Sequence, residues 1–277
     1  MGVHGKHRAL VRAALLALCL LTGAAQAQCR LALALGMDVS GSVDQVEYRL
    51  QLDGLAAALT SDEVQGQLLQ FPDAPIWVAA FEWAGRFNQR LLVDWVALDS
   101  AAAINGVAAT LRATERRSGI NSTGIGGAML FAERLFQKRP DCWRYTLDLS
   151  GDGTNNDGPA PEFMRDRLVG RDINGLVIAL DLTVGRDERQ MDLMELSAYY
   201  RKRIIKGPDA FIEVALGFDD FERAMTKKLL RETESLMIGD LDRQQRRADA
   251  AAFTEEHIVG ATRGRRAHLF DAYAGGL

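Results

Sequence analysis

The sequence predicts an α/β protein with a doubly wound, mostly parallel central sheet flanked by helices and one short antiparallel edge strand. Three observations carry this expectation. Stretches with strand patterning alternate with stretches of helical spacing, the order that builds parallel sheets through crossover connections. The apolar run Leu31 to Leu35 is unbroken and of strand length, as expected of a strand buried on both faces. Two strands end abruptly in oxygen-bearing side chains, at the edge where open α/β sheets bind ligands. The first runs into Asp38, Ser40 and Ser42, and Trp143 to Leu149 runs into Asp152.

In chain order, Val43 to Leu59 reads as a helix capped by Asp44, with Val46, Leu50 and Ala57 near helical spacing. A short helix follows over Asp62 to Leu69. Phe71-Pro72-Asp73-Ala74-Pro75 breaks the chain, and Ile76 to Trp83 and Gln89 to Val96 read as strands close enough to pair as a hairpin. The second of these is the expected antiparallel edge. Ser100 to Thr114 is Ala-rich and helical. Gly124 to Gln137 is a helix with Ile125, Met129, Ala132 and Phe136 on one side, stopped by Pro140. After Trp143 to Leu149 comes the acidic loop Ser150 to Gly158. A helix over Pro161 to Val169, a strand over Ile173 to Leu180, a helix from Asp187 to about Arg201 and a strand over Phe211 to Ala215 complete the alternation. Phe218 to about Arg247 reads as a long charged helix with a break at Gly239-Asp240.

The chain has 277 residues, 48% hydrophobic and 25% charged, enough to bury one large core with appendages. A net charge of −4 with scattered Lys and Arg argues against a nucleic-acid partner. The clusters Arg201 to Arg203 and Arg263 to Arg266 read as solvated surface. Lys6, His7, Arg8 and Arg12 precede the apolar run Ala13 to Leu21, and Ala25-Gln26-Ala27 offers small residues at a cleavage position. This is the pattern of a secretory signal peptide cut after Ala27, the apolar run being short for a membrane anchor. Gln28 before Cys29 fits a lipoprotein signal poorly. The expected organisation is therefore a signal peptide over 1–27, an α/β domain over 28–235 and a helical extension and tail over 236–277, in a periplasmic or secreted protein. Cys19 leaves with the signal, so Cys29 and Cys142 remain in a compartment that permits disulfides.

Three loops bring oxygen ligands to one edge of this sheet: Asp38-x-Ser40-x-Ser42, Thr123 in Asn121-Ser122-Thr123-Gly124-Ile125-Gly126-Gly127-Ala128, and Asp152-Gly153. Carboxylate and hydroxyl oxygens are the donors that hard divalent cations prefer. In this order the three pieces resemble the von Willebrand factor A domain, whose metal-ion-dependent adhesion site (MIDAS) is built from D-x-S-x-S, a Thr and an Asp-Gly. The resemblance covers about Cys29 to Glu234. It implies a vWA-like fold in which Ser40 and Ser42 bind Mg²⁺ or Mn²⁺ directly, Thr123 directly or through water, and Asp38 and Asp152 mainly through water. It further implies a protein ligand whose Asp or Glu carboxylate completes the metal; binding rather than catalysis is expected, because the open coordination position wants that carboxylate and no general base is visible nearby. Within the superfamily, the run MDVSGSVD, Phe81-Glu82-Trp83, Ser150-Gly151-Asp152-Gly153 and Gly207-Pro208-x-Ala210-Phe211 look like a group of secreted bacterial proteins of unknown function. Here Ser-Gly-Asp-Gly replaces the commoner Thr-Asp-Gly, and Asp157 beyond it reads either as an extra ligand or as a polar turn.

The resemblance also implies a sheet order that makes the strands after Cys29 and Cys142 parallel neighbours. Counting back from the aspartates puts the cysteines 9 (38 − 29) and 10 (152 − 142) residues away. Strand spacing of roughly 4.8 Å and an offset of roughly 3.3 Å then give a separation of about 5.8 Å, which a disulfide accepts.

Two other function classes compete with metal-dependent binding. A structural scaffold would keep the fold with an incidental metal. A hydrolase using Ser40 or Ser42 needs a base, yet the only histidines beyond the signal are His257 and His268 in the tail. An aspartyl-phosphate enzyme would want Asp-x-Asp where residue 40 is Ser, and Gly124 to Gly127 lacks the Lys of a phosphate loop.

Overall fold

A computed structural model of the chain describes residues 29–117, 121–139, 141–179 and 186–234, with side chains of 186–190 excepted. The signal-peptide stretch, Pro140, the helix beyond residue 234 with its Gly239-Asp240 break, and both tail histidines lie outside those residues.

The elements are β1 (Leu31–Asp38), α1 (Gln45–Thr60), α2 (Asp62–Leu68), β2 (Ile76–Trp83), β3 (Gln89–Ala97), α3 (Ala101–Ala113), α4 (Ile125–Phe136), β4 (Arg144–Gly151), α5 (Pro161–Arg167), β5 (Asp172–Ile178), α6 (Arg186–Arg203) and β6 (Ile212–Ala215). The strands form one six-stranded sheet in the order β3-β2-β1-β4-β5-β6. All neighbours run parallel except β2 and β3, so the expected antiparallel edge strand is present. Register shifts at Val78, Ala80 and Phe81 mark β3 as irregular, a common way to blunt a sheet edge. A helix at residues 221–234 follows a single 3₁₀ turn, Phe218–Asp220. The chain divides into two compact units after Leu229.

Every residue of β1 is buried, as its unbroken apolar run requires of a central strand. Ala32 and Ala34 belong to a core cluster with Ile125, Met129 and Phe136 of α4, with Tyr200 of α6 and with Ile204 just beyond it. Side chains alternate along a strand, so Leu31, Leu33, Leu35 and Met37 face the opposite layer. α1 and α3 pack on each other. Tyr48 of α1 donates to Glu82 of β2 at 2.9 Å, and Arg90 of β3 donates to the same carboxylate at 2.8 Å. The Phe81-Glu82-Trp83 stretch thus ties this helix to the hairpin.

β4 ends later than the sequence suggests. Ser150 pairs with Met37 and Leu176, and Gly151 with Val177. The first half of Ser-Gly-Asp-Gly is therefore strand, because backbone partners are available on both sides, and the turn begins at Asp152. Cys29 and Cys142 form a disulfide with a Cα separation of 4.5 Å. No helix among the described residues is long and apolar enough to cross a membrane.

Candidate metal centre

β1 delivers Asp38 to the carboxyl edge fully buried, and the following loop is pinned at both ends. At its start, Asp38 Oδ1 accepts from the Ser40 backbone N–H at 2.8 Å, an Asx turn that folds the chain over the strand end. Gln51 of α1 donates to the Asp38 carbonyl at 2.9 Å, and the Val39 N–H reaches the Trp83 carbonyl at 2.8 Å. At its far side, Asp44 caps α1 in a reciprocal capping box with Glu47. Between these anchors the Ser40 and Ser42 hydroxyls lie 3.4 Å apart, and Ser42 Oγ donates to Asp152 Oδ1 at 2.9 Å. The first and third predicted loops therefore touch directly.

Thr123 arrives from the second loop. Its N–H donates to Asn156 Oδ1 at 2.8 Å, while its carbonyl accepts from the N–H groups of Asn156 at 2.9 Å and Asp157 at 3.1 Å. A Cβ placed on Gly153 would stand 3.9 Å from Thr123 Oγ1, so its hydroxyl borders the Asp152-Gly153 turn. Gly124 sits against the β2–β3 turn, where a Cβ would meet the Arg86 nitrogen at 2.5 Å. Only glycine permits that approach, and the Gly124 N–H uses it to reach the Ala84 carbonyl at 2.7 Å. Asp157 accepts from the Arg86 N–H at 3.0 Å and from Ser122 at 3.3 Å, and its half-buried carboxylate is held below the usual range by that Arg86 N–H. Of the two roles open to Asp157, these contacts are those of a polar turn.

The electrostatics are unfavourable to two free carboxylates. Burial, with the neighbouring Asp152 adding to it, raises the Asp38 carboxyl to about 8. Burial likewise raises Asp152, with the Ser42 hydrogen bond opposing. One oxygen of each, Oδ2, is buried without a hydrogen bond, as is the Tyr200 hydroxyl. A Cβ on Gly151 would meet that hydroxyl at 2.6 Å and Asp38 Oδ2 at 3.0 Å, so these two polar groups crowd one point. Buried polar groups without partners are costly, and a small divalent cation is the species that would relieve this cluster. The donors are hard oxygens from Asp38, Asp152 and the hydroxyls of Ser40, Ser42 and Thr123, which suit Mg²⁺ or Mn²⁺. Among the described residues no three His, Cys, Asp or Glu side chains gather into a metal group, so a cation here would lean on hydroxyls and water.

Tyr200 and Gln51 were not legible as parts of this site. Each occupies a helix at a position that reads as ordinary amphipathic patterning. Only the sheet order, which packs α6 on β5 and β6, brings the Tyr200 hydroxyl to Gly151 of β4.

Sheet order and loop arrangement together define a von Willebrand factor A-like α/β module. The chain belongs to the family described as "Protein of unknown function (DUF1194)", which matches residues 28–237. Among solved structures it is similar to proximal thread matrix protein 1 from the mussel byssus with a zinc-occupied MIDAS motif, at 17% identity and a TM-score of 0.52, over 76% of this chain and 47% of that one. It is also similar to a von Willebrand factor type A protein from Catenulispora acidiphila, at 12% identity and a TM-score of 0.48, over 76% and 43%. A pilus adhesin, SpaC from Lactobacillus rhamnosus GG, is similar at 12% identity and a TM-score of 0.49, over 74% and 30%. The chain thus spans less than half the length of each of these proteins. At 17% identity the likeness to the byssal protein speaks for the fold. No curated protein matches.

Proposed function

We propose that this is a periplasmic or secreted binding module that captures a protein partner through a divalent cation, Mg²⁺ or Mn²⁺, held by Asp38, Ser40, Ser42, Thr123 and Asp152. The observation that carries the reading is the pair of buried carboxylates at the ends of β1 and β4, each with an oxygen lacking a hydrogen bond. Bound there, the cation would supply an electrophilic coordination position for a partner's Asp or Glu carboxylate. Ser42 and Asp152 hold each other in place, Gln51 and the Val39 N–H fix the strand end, and the Asn155 to Asp157 loop orients Thr123. Similarity in fold to a byssal matrix protein with a metal-occupied MIDAS supports the class of site. The disulfide supports an oxidising compartment.

Binding is favoured over hydrolysis by the surroundings of the serines. Ser42 donates to a carboxylate rather than to an imidazole. Calorimetric titration of the chelated protein with Mg²⁺ tests the reading. One site is expected, abolished by Asp38→Ala and weakened by Ser42→Ala. Unchanged binding in Asp38→Ala would refute the assignment, and a hydrolytic turnover lost in Ser42→Ala would refute the binding role.

A further inference from the structure

A cavity of about 560 Å³ opens beside the metal centre, between the loop after β4, the end of β5 and α6. Asp152 belongs to both, forming one wall of the cavity. Its floor is apolar, with Ile178 and Leu196 buried and Leu193 half-buried. Its rim is acidic: Asp192 and Glu195, three apart on one face of α6, are exposed. None of the described residues lining it is basic.

An apolar floor under a carboxylate rim matches a side chain with a long aliphatic stem and a cationic head. We propose that this cavity is a subsite for a Lys or Arg side chain lying within a few residues of the carboxylate that engages the metal, on the same partner segment. The inference rests on the proposed metal-dependent capture of a carboxylate. Sharing Asp152 keeps the two subsites within the reach of a short peptide, since an extended residue spans roughly 3.3–3.6 Å. The module would then select partners by an acid and a base at fixed spacing, with the metal binding one and α6 the other.

The test uses the full mature chain in Mg²⁺ and blocked Gly/Ser hexapeptides carrying one Asp, with Arg one, two or three positions after it. Matched peptides replace that Arg by citrulline, its neutral isostere. At one spacing the Arg peptide should bind about fivefold tighter than its citrulline partner, as expected for pairing with exposed acids. The double variant Asp192→Asn/Glu195→Gln should erase that ratio while citrulline-peptide binding stays unchanged. A ratio of one at every spacing, or a ratio that survives in the double variant, overturns the subsite. So does an equal gain from adding free N-acetyl-arginine amide to the citrulline peptide. Citrulline-peptide binding that persists in chelator, or a protein that takes up no Mg²⁺ in calorimetry, marks instead the failure of the metal reading, and the subsite falls with it.

Discussion

Cys29 and Cys142 stand with Cα atoms 4.5 Å apart, closer than the roughly 5.8 Å expected from strand geometry. The register explains the difference. Leu31 pairs with Arg144, so the two cysteines, each two residues earlier, are level. Continued to the other end, the same register sets Asp38 beside Gly151, and the one-residue offset falls at the aspartates. Asp152 thereby begins the turn instead of ending the strand. The disulfide joins cysteines 113 positions apart in the sequence, one just before β1 and one just before β4. Replacing both cysteines by serine should lower unfolding stability by ~2–5 kcal/mol in a denaturant titration. A loss under about 1 kcal/mol would mean that the sheet already holds β1 and β4 in register.

The Asp38 carboxyl gives apo stability a definite pH dependence. Its folded value of about 8 lies above the ordinary carboxylate value of about 3.9 expected for the unfolded chain. The folded state therefore holds a proton that the unfolded state has released. The contribution of Asp38 to stability is complete below about pH 4 and is lost as pH rises through about 8, with Asp152 shifted in the same direction. Urea midpoints measured in chelator at pH 5, 6.5 and 8 should fall progressively. In saturating Mg²⁺ the fall should be smaller, because the cation stabilises the ionised form. Chelator midpoints that rise with pH would contradict the burial of Asp38.

The parts of the site that could be read in the sequence are those made of local patterns. The strand-to-acid transitions at Asp38 and Asp152 and the capping Asp44 follow from short runs whose physics is local. The antiparallel β3 followed from its distance to β2, and the pairing of Cys29 with Cys142 from the sheet order that the family resemblance implied. What stayed hidden depends on sheet order and layer stacking. Lys228 is the clearest case: in a helix rich in charge it reads as solvated surface, yet it is fully buried and paired with Asp148 of β4. Tyr200 is another, since its hydroxyl meets Gly151 only after α6 packs on the sheet.

The buried pair makes its own prediction. Lys228 Nζ lies 4.7 Å from the Phe211 ring centre and bonds Asp148, which is 2% exposed. Lys228→Met removes the cation and leaves a carboxylate in a low-dielectric layer, which should cost ~3–5 kcal/mol. Combining it with Asp148→Leu should recover much of the loss, because well-packed apolar residues often replace buried ion pairs without net cost. Equilibrium unfolding of the single and double variants measures both. A double variant no more stable than Lys228→Met would show that the pair's worth lies in neighbouring hydrogen bonds.

Gly151 offers the most direct separation of fold from site. It lies in β4, paired with Val177, so its backbone is ordinary strand and no special conformation is at stake. What it provides is room: a methyl there would lie 2.6 Å from the Tyr200 hydroxyl and 3.0 Å from Asp38 Oδ2. The tyrosine is fully buried in the core cluster with Leu149 and Val177, so it has little freedom to withdraw. Gly151→Ala should therefore destabilise the protein by ~1–3 kcal/mol through overpacking. It should also weaken Mg²⁺ binding, because Asp38 is the other group in the way. Tyr200→Phe removes the clashing oxygen, which belongs to a buried hydroxyl that has no hydrogen bond. Added to Gly151→Ala, it should restore most of the stability and part of the metal affinity. Unfolding titrations and calorimetry on the two single variants and the double variant decide this, and a Gly151→Ala protein with native stability and native Mg²⁺ affinity would show that the three groups are not in contact.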